Sequence, residues 1–373
     1  MISTAAARTN ANPGIVPAWM QGSVSTAPTA DAPSAVTAVA KRATGVVATS
    51  AATNGSARDV NRGVVIIVGP GDLERWLNGD QGPQGDSGHG HSGDGFAPEG
   101  GAPAFQHDSA KEAAELVVAK QEMASIRGFF SKLGVRDDEG NNEAPVSIDD
   151  SVQNAYYDPR SDEVVIGELP LSLIKKGARD VSFTKAPDVL AHEWSHRIVN
   201  HLVPGIQNGG EDAAINESLA DTFAAAYDTK DWTIGEGLGL NIRTLNHPER
   251  DTIEHSGGHP GSVADVERMF RPGSEYFTPE GEPEPHALSA LPSKAAALIG
   301  EGLGRDAMAK IYLKAVRDYM QPGRKIEGLA SDTIRSATDL FGAGSKQVGV
   351  VKQAWDAVGV LELLAPSGAA TRS

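Results

Sequence analysis

Asp188-Val189-Leu190-Ala191-His192-Glu193-Trp194-Ser195-His196 holds the residue types from which metal-assisted hydrolysis can be built. On a helix, residues four apart share one face, so His192 and His196 can aim two imidazole nitrogens at one metal ion. Glu193 beside them is a carboxylate within reach of a proton on a metal-bound water. On an exposed helix the same three residues would be ordinary solvated surface. Val189, Leu190, Ile198 and Val199 fall at helix-compatible positions, which describes a half-buried helix with a polar stripe. What decides between the two readings lies downstream.

A third protein ligand is needed, and Asn216-Glu217-Ser218-Leu219-Ala220-Asp221 follows on the next predicted helix. Glu217 and Asp221 are one turn apart on one face. Glu217 suits a third ligand that leaves the fourth position open, and Asp221 suits the outer ring N–H of His192, fixing its tautomer and raising its basicity. The chain has no cysteine, so a zinc ion could be held only by histidine and carboxylate.

The elements that must position these groups can be read around them. Ser109 to about Leu133 carries a helical pattern closed by Gly134. Ala155-Tyr156-Tyr157 and Glu163-Val164-Val165-Ile166-Gly167 read as two strands joined at Asp158-Pro159-Arg160. The histidine helix follows Pro187, a favoured first-turn residue. Helices are expected over Ala213–Tyr227, Pro292–Gly300, Arg305–Tyr319, Ile326–Phe341 and Gln347–Val358. The fold class is therefore α+β in two lobes, with a reduced β-containing lobe first, a mainly helical lobe second and the histidine helix between them.

Residues 1–58, rich in Ala, Thr, Ser and Pro, are expected to form a disordered or prosegment-like tail. The run Val64-Val65-Ile66-Ile67-Val68 predicts a buried strand within a divergent segment, 59–104, that also holds a Gly-rich loop with His89 and His91. Residues 105–201 form the expected first lobe, 202–365 the helical lobe and 366–373 a flexible tail.

At 373 residues and 40% hydrophobic content the chain can bury a sizeable core. A formal net charge of −16 argues against nucleic acid or an anionic membrane as partner. No run approaches a membrane span, and Met1 to Arg8 lacks the basic start and apolar core of a secretory leader.

Beyond the metal residues, an ordered series of segments resembles the thermolysin-like family of neutral zinc metallopeptidases, from about Asn154 to Val360. Asn154-Ala155-Tyr156-Tyr157 is similar to the family's substrate-binding edge strand, and Ala191 to His196 and Ala214 to Asp221 to its metal segments. Asp231-Trp232-Thr233-Ile234-Gly235-Glu236, Asn241-Ile242-Arg243, Pro285-His286, Ser336 to Phe341 and Val351 to Val360 follow in the family's order. In layout the chain resembles the leaderless members with a short propeptide.

The resemblance implies zinc on His192, His196 and Glu217, with Glu193 as general base and His286 stabilising the oxyanion. Asp221 would support His192, Arg243 would hold a substrate carbonyl, and Asn154 with Ala155 would pair with substrate main chain. It also implies calcium on Asp188, Asp228, Asp231 and Glu236, although Thr233 stands where a carboxylate is expected. Two further departures concern the oxyanion. Ile206 replaces a tyrosine of the family, and Gly281 stands where the acidic partner of His286 should be, leaving Glu282 or Glu284 to substitute. The implied function is zinc endopeptidase cleavage of internal peptide bonds in proteins, with export lacking a recognisable signal as the expected route and the cytoplasm as the alternative. A weakened or inactive relative that binds protein segments is the competing reading; an aminopeptidase would need an acidic anchor for the substrate amine, and no motif supplies one.

Overall fold

The computed structural model describes residues 109–135, 145–169, 182–206, 210–271, 273–278 and 281–364. The expected tail, the strand at 64–68, the Gly-rich loop with His89 and His91, and the terminal segment 366–373 lie outside the described residues.

Helix α1 (Ser109–Lys132) turns its Ala119, Met123, Ile126 and Phe130 inward, an i, i+4, i+7, i+11 stripe, and ends where Gly134 takes φ +91°. Three short strands follow, β1 (Val146–Ile148), β2 (Ala155–Asp158) and β3 (Glu163–Ile166), in the order β1-β3-β2. The β2–β3 pair is the expected hairpin, with Tyr157 opposite Val164. β1 lies parallel to β3, with Val146 opposite Val164, and at three residues it is too short to carry a readable period. Among the described residues β2 is therefore an edge strand, packed on helix α2 (Pro187–Leu202).

Helix α2 starts at Pro187 as expected, but it is not half-buried. Every residue from Asp188 to Val199 is enclosed, so the polar stripe faces other elements instead of water. Helix α3 (Gly210–Tyr227) packs along it and is enclosed from Glu211 to Ala226. Next come two two-residue strands, β4 (Thr233–Ile234) and β5 (Arg243–Thr244), and helix α4 (Val263–Met269), none of them anticipated.

The helix expected from Pro292 begins earlier, as α5 (Pro285–Leu303). Pro285 supplies the pre-set φ of a first turn, and the carboxylate of Glu284 accepts from the N–H groups of His286 (3.1 Å) and Ala287 (2.7 Å). Pro292 sits inside the helix. Helices α6 (Arg305–Asp318), α7 (Ile326–Phe341) and α8 (Lys346–Ala357) fall within a residue or so of the expected bounds, and a short helix that was not anticipated, α9 (Val360–Leu364), follows them. Alanines at 214, 220, 224, 287, 290 and 295 let α3 and α5 pack closely, and one buried apolar cluster runs from Met123 through Trp194 and Phe223 to Trp355.

Candidate metal centre

α2 and α3 bring His192, His196 and Glu217 together in a fully buried cluster whose donor atoms all lie within 4.8 Å of one another. The Nε2 atoms of the two histidines are 3.0 Å apart. Glu217 Oε2 is 3.3 Å from Nε2 of His192, and Oε1 is 3.7 Å from Nε2 of His196. Donors about 2.0–2.1 Å from a tetrahedral zinc ion stand about 3.3 Å from each other, so these separations fit that ion. Both oxygens of Glu217 lack a hydrogen-bond donor although buried, a costly state that a cation relieves. The donor set, two imidazoles and one carboxylate, is that of zinc.

The groups around the cluster orient it. Asp221 lies 2.8 Å from Nδ1 of His192, which puts the ring proton outward and the Nε2 lone pair inward. The guanidinium of Arg243 donates to Asp221 at 3.0 Å and stands 3.8 Å from Glu254, buried throughout. Burial disfavours ionised Asp221, yet Arg243 and His192 outweigh it and hold its carboxyl well below the usual range. Burial also opposes charge on His192, but Asp221 and Glu217 outweigh it and raise the ring to about 9. In His196 burial prevails and lowers the ring to about 4. The cluster thus sets the carboxylates of Glu217 and Asp221 beside His192, where they favour positive charge that a dication would supply in place of the ring proton.

Glu193 points from α2 toward the sheet, where its Oε2 accepts the Tyr157 backbone N–H at 2.9 Å. Burial, with the charge of Glu217, pushes its carboxyl up to about 8. In an antiparallel pair alternate residues face opposite sides, and Asn154 O takes its bond from Gly167, so Ala155 faces the free edge with Tyr157. The side-chain amide of Asn154 is buried without a partner.

His286 enters from the first turn of α5, with Nε2 3.6 Å from Glu217 and no hydrogen bond there. Its Nδ1 is 3.0 Å from Glu284, so of the two carboxylates open from the sequence it is Glu284 that faces the ring, while Gly281 offers none. Burial opposes charge on His286, but Glu217 and Glu284 raise it to about 10. Ile206 packs its side chain against the apolar core and has nothing to donate to an oxyanion.

The four residues read for calcium form a partial cluster. Asp188 accepts the Gly235 N–H, and one oxygen each of Asp188 and Glu236 is buried without a partner. Lys230, not singled out from the sequence, puts its ammonium 2.9 Å from Asp228 and 3.9 Å from Glu236, while Asp231 turns an oxygen to the Thr233 N–H at 2.7 Å. An ammonium among so few carboxylates leaves well short of the six to eight oxygens calcium takes.

A second group was also missed: Glu254, His255 and His259 converge in the loop after β5. The signal was in the sequence, a Glu-His pair with another His four residues on, but not in a helical pattern that would mark it.

Residues 205–360 match the thermolysin metallopeptidase alpha-helical domain. The chain is similar to bacillolysin of Brevibacillus brevis, at 33% identity over 46% of this chain and 33% of that protein. It is also similar to thermolysin of Alicyclobacillus acidocaldarius, at 28% identity over 49% of this chain and 35% of that protein. It therefore spans about a third of the length of these curated relatives. Among solved structures, the precursor of protealysin, a metalloproteinase from Serratia proteamaculans, superposes with a TM-score of 0.54 at 24% identity, covering 71% of this chain and 82% of that one, which supports the two-lobed α+β fold. Taken with the order of the helices that carry the buried cluster, the helical-domain match and these sequence likenesses support a place for the chain in the thermolysin-like metallopeptidase family.

Proposed function

We propose that the protein is a zinc endopeptidase that hydrolyses internal peptide bonds of proteins. The observation that carries this reading is the buried trio His192, His196 and Glu217 with Glu193 beside it, tied to the edge strand through Tyr157. Zinc held by the trio would supply Lewis acidity toward water and the scissile carbonyl. Glu193, held by the Tyr157 N–H, takes the proton from the attacking water and passes it to the leaving amine. His286, charged and oriented by Glu284, donates Nε2–H to the oxygen on which negative charge develops. Substrate main chain pairs with the free edge at Ala155, the Asn154 amide supplies a side-chain contact, and Arg243, anchored by Asp221, holds a substrate carbonyl. Residues 1–58 act as a prosegment, and the protein works after export. Among the described residues no helix is long and apolar enough to cross a membrane.

The test is cleavage of a denatured protein with and without a zinc chelator, beside Glu193→Ala. The expected outcome is cleavage lost on chelation and reduced by about 10²–10⁴-fold in the variant, which keeps its zinc. Ile206 favours one other reading, a weakened relative that binds protein segments. Zinc bound with no cleavage, before or after removal of residues 1–58, would establish that reading instead.

A further inference from the structure

We propose that Glu254, His255 and His259 form a second site for a zinc-class divalent metal, distinct from the trio on α2 and α3. Their donor atoms lie within 4.8 Å of one another, and all three residues are buried, at 8%, 4% and 1% exposure. Nδ1 of His255 is 3.0 Å from Nε2 of His259, which is 3.5 Å from Glu254 Oε2. These distances bracket the donor spacing of a tetrahedral zinc ion, as those of the first trio do.

The ring tautomers agree. His255 Nε2 is 3.2 Å from the carbonyl of Glu275, which can only accept, so the proton sits there and the Nδ1 lone pair points into the cluster. Hydrogen bonding between the two histidines would satisfy their facing nitrogens without any ion. It would not satisfy Glu254, whose two oxygens are both buried without a hydrogen bond, nor Asp251 Oδ1 and His259 Nδ1 on the far side of the ring. Asp251 Oδ2 lies 3.8 Å from that Nδ1, the place of an outer carboxylate behind a ligating imidazole.

Charge points the same way. Besides its own Glu254, the cluster is faced by the carboxylates of Asp251 and Glu284, the latter 3.9 Å from His255, and by the cations Arg243, 3.8 Å from Glu254, and His286. Two imidazoles favour zinc and its transition-metal neighbours over calcium or magnesium.

The loop is built to hold this geometry. Gly258 turns the chain at φ +74°, and a Cβ there would stand 2.5 Å from the Glu249 carbonyl oxygen. His259 N–H donates to Pro248 O at 2.8 Å. Tyr276 stacks on the His255 ring at 4.9 Å, and its hydroxyl donates to the Gly258 carbonyl at 2.7 Å. The histidines are thus positioned by the backbone and by Tyr276. A dication here would tie the loop to Arg243, which pairs with Asp221 behind the first trio.

The experiment is a zinc titration of the metal-stripped full chain against a competing chromophoric chelator, with metal content measured after gel filtration and folding followed by circular dichroism. About two tight equivalents are expected for the wild type, about one for His259→Ala, and about one for the double variant His192→Ala/His196→Ala. In that double variant cobalt should give the visible absorption of a tetrahedral ion. A wild type that takes up one equivalent overturns the proposal. So does a folded double variant that takes up none, or a folded His259→Ala that keeps two, which would place the second ion elsewhere, as at His89 and His91. If His259→Ala does not fold, Glu254→Gln is counted in its place, with about one equivalent expected and two overturning the proposal. The readout does not depend on peptidase activity.

Discussion

At the scale of single residues, Glu284 does two separable things. One oxygen faces Nδ1 of His286 and accepts that residue's backbone N–H; the other accepts the N–H of Ala287 at the start of α5. Glu284→Gln keeps an acceptor for the helix end and removes the charge that holds the imidazole. Its thermal midpoint should change little, since capping groups of this kind contribute about 1 kcal/mol and the amide retains part of it. Its kcat should fall by about 10–100-fold with KM nearly unchanged, because a donor that is less charged and less well held acts on the transition state and not on the bound substrate. A rise in KM at constant kcat would assign Glu284 to substrate binding. Lys230 is the other residue with a sharp prediction. Its ammonium neutralises Asp228 and faces Glu236, so millimolar calcium should barely move the unfolding temperature of the wild type. Lys230→Ala should be less stable in chelator and regain stability with calcium; an equal calcium response in both proteins would show that the lysine does not compete for the site.

At the scale of elements, the β2–β3 hairpin is fastened to α2 by one side chain at its turn. Asp162, at φ +55°, accepts from Arg197 at 2.7 Å and from Tyr157 OH at 3.0 Å, and lies 2.8 Å from His201. Partial burial opposes its charge, but Arg197 outweighs burial and lowers the carboxyl below its ordinary 3.8. A depressed carboxyl pKa stabilises the fold above the unfolded value and loses that contribution as pH falls through the folded one. Asp162→Asn, which tolerates the left-handed backbone, should therefore lower the midpoint at pH 7 and approach the wild type as pH falls below about 4. The loss should be about 1 kcal/mol or less, since the carboxylate is more than a third exposed and screened by water. A difference independent of pH would assign the effect to shape.

These elements also mark what a sequence can and cannot disclose. Helices at Ile326 and Lys346 are legible because their apolar faces repeat over more than three turns. The histidine helix is legible because its spacing encodes the site. The enclosure of α2 is not, since its charged residues look solvated until Asp221, Tyr157 and Gly235 are brought against them by distant chain. The start of α5 was obscured by two prolines seven apart, either able to open a helix; Glu284 settles it by capping the first. The role of Lys230 and the loop of His255 and His259 depend on turns that have no periodicity to read.

At the scale of the whole molecule, the sheet, α2 and the later helices share one buried cluster, so the catalytic candidates on α2, α3 and α5 are fixed to a common interior. Around that interior stands a strongly acidic chain, with 49 Asp and Glu against 33 Lys and Arg. Near the metal trio the carboxylates of Glu217, Asp221, Glu254 and Glu284 are met by Arg243, His286 and the charge of the metal the trio would hold, so the interior is close to balanced and the excess lies in the rest of the chain. The field of that excess should draw cationic peptides and repel anionic ones, and the effect should fade as salt shortens the Debye length from about 30 Å at 0.01 M to about 3 Å at 1 M. Two peptides with one cleavable centre, flanked either by lysines or by glutamates, separate this effect from pocket preference. Near 0.01 M salt the lysine-flanked peptide should have a kcat/KM about tenfold higher or more, and at high salt the ratio should approach one. The change should come mainly through the lysine peptide slowing and the glutamate peptide gaining. A ratio that holds at all salt concentrations would mean that contacts at the cleavage site, such as those offered by Asn154 and Arg243, discriminate between the peptides, and that the acidic exterior has no part in choosing substrate.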